Sequence, residues 1–64
     1  MGYISINPGL KTAMKQAFTI TTSSRIFFLT YDESRDAIEW NMFMDDLVLK
    51  VDIEKILKDY LTNQ

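Results

Sequence analysis

The sequence predicts an α+β fold: a small antiparallel β-meander of three to four strands with an N-terminal and a C-terminal helix, in the order β-α-β-β-β-α. Three observations carry this. Arg25 to Tyr31, "RIFFLTY", is a run of pleat-friendly side chains. Ala37 to Met44 alternates, with Ile38, Trp40, Met42 and Met44 at every second position. From Asp52 the apolar period changes to that of a helix, with Ile53, Ile56, Leu57, Tyr60 and Leu61 on one stripe.

Taken in order, Tyr3 to Ile6 reads as a short strand ended by "NPG". Asn7 as N-cap and Pro8 at the first helical position then open a helix predicted over 8–18. Its apolar stripe is Leu10, Met14, Ala17 and Phe18, with Lys11 and Lys15 on another face. "TITTSS" ends it, because hydroxyl and β-branched residues favour extended or turn backbone. The strand Arg25 to Tyr31 carries apolar groups on both faces, and "DESRD" (Asp32 to Asp36) has the polarity and length of a hairpin loop.

The stretch "AIEWNMFMDD" can be read in two ways. As a helix it has a stripe of Ala37, Trp40, Met44, Leu47 and Val48, with Asp36 and Glu39 as a capping box. As a strand it puts four apolar residues out of four on one face. The strand is preferred, with Asp45 and Asp46 as the next turn and Leu47 to Val51 as the last strand. Ile38 and Trp40 are expected in the core and Met44 nearer an edge or an interface. The final helix takes Asp52 as its N-cap, and "TNQ" frays from its end.

With 64 residues there is room for one domain, 1–64, and one small core. Apolar burial worth about 100 kcal/mol stands against about 96 kcal/mol of ordering entropy, so a homodimer is the default expectation for a chain without a staple. There is no cysteine or histidine to make a disulfide or hold a structural zinc. The absence of cysteine fits a reducing, cytoplasmic setting, which is the host cytoplasm for a chain of phage origin. The start "MGYISI" lacks the basic and apolar regions of a signal peptide, and no apolar run approaches the roughly 20 residues of a membrane span.

Catalytic chemistry finds little to build on. General acid-base work most often uses histidine, cysteine nucleophiles are excluded, and Gly2 and Gly9 are too few for a phosphate loop. Asp45 and Asp46 as a magnesium pair would point to opposite faces of a strand, so a solvated turn is the better reading. The chain is therefore expected to be no enzyme, with no cofactor and no metal.

Two binding readings remain. In the preferred one the chain is a small regulator or inhibitor that binds another protein, with Trp40, Met42, Met44 and Phe28 as interface residues and flanking acids as a polar rim. Its length, acidity and lack of a catalytic set match the profile of a phage or mobile-element accessory protein. The bland reading of Trp40 is a core side chain. The alternative is a small single-stranded nucleic-acid-binding module. Residues 1–31 carry Lys11, Lys15 and Arg25 and no acid, net +3, whereas 32–64 carry all nine acids, net −5. The three cations would meet phosphates while Phe27 and Tyr31 stack on bases. An overall net charge of −2 weighs against it, and the two halves are expected to neutralise each other by packing.

Overall fold

Four strands followed by one helix make up the described residues. The computed structural model describes residues 2–64, with β1 (Ile4–Thr12), β2 (Lys15–Thr22), β3 (Ile26–Asp32), β4 (Ala37–Trp40) and α1 (Leu47–Thr62). The strands lie in chain order in one antiparallel sheet. This is an α+β architecture of a four-stranded antiparallel sheet and a C-terminal helix.

The pairing puts apolar side chains into rows across the sheet. Ile6 pairs with Ile20 and Ile20 with Phe27; Pro8 pairs with Phe18, Phe18 with Leu29, and Leu29 with Trp40. Because alternate residues share a face, these rows all lie on one side. There α1 covers them, and Phe18, Ile20, Phe27, Leu29, Met44, Ile53 and Leu57 form the buried core. Each such side chain contributes about 1.5 to 3 kcal/mol of burial. Edge-on ring contacts tie Phe18 to Tyr60 of α1 at 6.0 Å and, within the sheet, Phe27 to Trp40 at 6.0 Å.

The helix expected over 8–18 is corrected to a hairpin. Residues 8–12 belong to β1, Ala13 and Met14 make the turn, and β2 begins at Lys15. The Leu10 and Met14 spacing is coincidental, since both side chains are exposed. Across 15–22 a period of two serves burial better: Phe18 and Ile20 enter the core while Ala17, Thr19 and Thr21 face the other way. Pro8 and Gly9 fall at a register shift between Pro8 and Lys11, and β1 lies at the sheet edge, where proline is tolerated.

The order β-α-β-β-β-α is thereby replaced by β-β-β-β-α. The strand expected over 47–51 is the opening of α1, and Asp46 rather than Asp52 is its N-cap, accepting from the Leu49 N–H at 3.1 Å. A satisfied cap, together with Leu49, Ile53 and Leu57 aligned at i, i+4 and i+8, outweighs the strand preference of Val48 and Val51. The strand Ala37 to Met44 is real only to Trp40. Beyond it the chain turns to enter α1 and carries Met44 into the core. The expectation for that face is therefore reversed: Met44 is buried, while Ile38 and Trp40 are half-buried at its margin.

Candidate protein-binding surface

α1 has an inner face of Ile53 and Leu57 and an outer face that changes character along its length. Near its start, Leu47, Val48 and Val51 project outward, 69%, 74% and 53% exposed. Their i, i+1, i+4 spacing makes them neighbours on one side of a helix. Phe43, three residues before the N-cap, is 83% exposed. Further on, the outward positions are Lys55, Asp59 and Thr62. Where Val51 meets the second half of the helix, a cleft of about 450 Å³ opens between α1 and the start of β4, with Ile38, Val51, Glu54, Lys55 and Lys58 in its walls.

The expected interface residues are split by this fold. Trp40 is tied inward, its indole N–H donating to Glu54 Oε2 at 2.6 Å and its ring packed on Phe27. Met42 is half-buried against the core and Met44 is part of it. Phe28 is 49% exposed but lies on the opposite, open face of the sheet, with Ile26 and the threonines 19, 21 and 30 around it. The residues that reasoning from sequence missed are Phe43, Leu47, Val48 and Val51. Asp46 was the available signal, because a helix begun there, not at Asp52, puts Leu47, Val48 and Val51 opposite Ile53 and Leu57.

The expected nucleic-acid contacts fall into separate groups, Lys11 with Tyr31 in the walls of one cleft and Arg25 with Phe27 elsewhere. Phe27 is 1% exposed and cannot stack on a base. Lys11 pairs with Glu33 at 3.2 Å and Lys15 with Glu39 at 3.7 Å, so acids of the second half neutralise cations of the first. Arg25 lies over the Phe27 ring at 5.2 Å. Tyr31 donates its hydroxyl to Asp36, which raises its pKa and lowers that of Asp36; Lys58, 3.0 Å from the same carboxylate, lowers the latter further.

The buried acid Asp32 is explained by its own turn. Its carboxylate accepts from the Ser34 hydroxyl at 2.7 Å, from the Ser34 N–H at 3.0 Å and from Arg35 Nε at 3.0 Å. These bonds, led by the Ser34 hydroxyl and then Arg35, lower its pKa to about 2. Arg35 also reaches Glu39, joining the loop to β4. The group is complete within itself and does structural work. Among the described residues, no three histidine, cysteine or acidic side chains gather closely enough to hold a metal ion, and no helix is long and apolar enough to cross a membrane. No family model, curated protein or solved structure matches the chain.

Proposed function

We propose that this chain is a non-enzymatic, cytoplasmic, protein-binding regulator or inhibitor, with the profile of a phage or mobile-element accessory protein, and that it meets protein through the start of α1. The observation that carries this reading is Leu47, Val48 and Val51 side by side on α1 with Phe43 in the loop before it, all more than half exposed in a chain this small. Together they offer roughly 500 Å² of apolar surface, at the upper end of what a monomeric soluble protein leaves bare and typical of surfaces kept for association. Acids at its border, Asp45 and Asp52, provide a polar rim. The nucleic-acid alternative has weaker support, because one of its two rings, Phe27, is buried and two of its three cations are already paired.

The test is affinity capture from the native host with mass spectrometry, run in parallel on the wild type and on a Leu47→Ser/Val48→Ser chain shown to be folded by circular dichroism. A protein enriched on the wild type and lost on the variant is the expected result. Identical capture by both would show that the surface is not used.

A further inference from the structure

We infer that the surface at the start of α1 is covered by a second copy of this chain, the two helices packing antiparallel about a two-fold axis that passes between Val48 and Val51. This rests on the proposed reading of that surface as a protein contact and names the protein that sits on it.

The surface is complementary to itself in three respects. The first is charge. Asp45 stands at one end of the apolar cluster and Lys55 at the other, both exposed, and among the described residues neither makes an ion pair. A two-fold axis at the middle of the cluster reverses the second helix. Asp45 of each copy then comes to the level of residues 54 and 55 of the other, against the free Lys55; Glu54 at that level is turned toward Trp40. A parallel arrangement would set Asp45 against Asp45 and Lys55 against Lys55. Antiparallel packing also sets the two helix dipoles head to tail.

The second is shape. An axis between Val48 and Val51 brings Val51 and Lys55 of each helix towards the start of the other helix, where the exposed Phe43 precedes the N-cap. Val51 and the stem of Lys55, with Ile38, wall the cleft between α1 and β4. The most exposed apolar ring among the described residues thus meets that cleft, and by symmetry it does so twice. Val48 of each copy packs on Val51 of the other.

The third is area. Roughly 500 Å² from each copy gives about 1,000 Å² in all, the lower bound of a specific interface, so the dimer is of the weak, concentration-dependent kind. A contact in which each copy uses the same patch also closes on itself, with none of that patch left over.

Sedimentation equilibrium on the full chain tests the arrangement, with two exposed substitutions that touch neither the core nor the N-cap, Asp45→Lys and Lys55→Asp. The wild type is expected to dimerise below about 100 μM. Each single variant, which replaces two attractions with two repulsions, is expected to dimerise about tenfold more weakly. An equimolar mixture of the two variants is expected to recover wild-type association, because every cross-chain pair is again of opposite sign. A wild type that stays monomeric to that concentration overturns the inference, as does a dimer that ignores both substitutions. The wider reading is judged separately: a monomeric chain that still captures a target through Leu47 and Val48 removes the second copy and leaves the protein-binding role in place.

Discussion

Phe27 and Phe28 are adjacent in β3 and chemically identical, yet one is 1% exposed and the other 49%. The pleat sends them to opposite faces, and only one face has a helix over it. The sheet is thus two surfaces on one backbone. On the covered side the central rows are apolar; on the open side Phe28 and Ile26 stand among threonines. What the comparison teaches is that residue type does not assign a role in a chain this short. Position relative to α1 does.

The largest test of that contrast is Phe27→Ala, expected to cost about 3 to 5 kcal/mol and to leave little folded protein in a domain of ordinary marginal stability. Circular dichroism with urea titration reads it. Met44→Ala comes next. It is expected to cost about 2 to 4 kcal/mol because Met44 is 8% exposed in the core. An undisturbed Met44→Ala chain would mean that the covered face ends at β4 instead of continuing into the loop.

Asp32 sharpens the contrast from the other side, since it shares the parity of Phe28 and is nonetheless 5% exposed. Its folded pKa is depressed to about 2, so its stabilising contribution is present above the ordinary value of 3.8 and lost as pH falls through about 2. Asp32→Asn should therefore be less stable than the wild type at pH 7, with the gap closing between about pH 4 and about pH 2. Urea midpoints measured across that range decide it, and a constant gap would show that the carboxylate charge is irrelevant. Ala13, by contrast, holds φ at 46° in the first turn, a left-handed conformation that alanine adopts at a cost. Ala13→Gly is expected to add about 0.5 to 1 kcal/mol with unchanged Trp40 fluorescence, which would show that the core and not the turn sets the register. The smallest effect belongs to Phe28→Ala, below about 1 kcal/mol by the same titration. A loss as large as that of Phe27→Ala would erase the distinction between the faces.

The legibility of the sequence followed the same physics. The hairpin of β3 and β4 was readable because its loop carries its own bonding: "DESRD" supplies Asp32, Ser34 and Arg35 to one another, and Asp36, at φ 48°, is among the residues that tolerate that backbone. The first hairpin was not. Its turn of Ala13 and Met14 has neither glycine nor asparagine, and alanine argues locally for helix. There the pairing of β2 with both neighbours overrides the local preference, a decision made by residues far along the chain. The second half of α1 was plain from its period, whereas its first turns were hidden by β-branched Val48 and Val51. That error also hid the candidate site, since those same valines form it.

The free edges of the sheet have a consequence of their own. A protein that leaves apolar surface in water risks recruiting copies without limit if an unpaired strand is ready to accept another. β1 is a nine-residue edge, yet its ladder is interrupted between Pro8 and Lys11, proline offers no N–H, and the lysine adds a charge beside the break. The opposite edge, β4, is four residues long. Neither is a good template for strand addition, so growth into fibrils is disfavoured at both ends of the sheet. Association through the start of the helix, by contrast, stops at a countable number of chains.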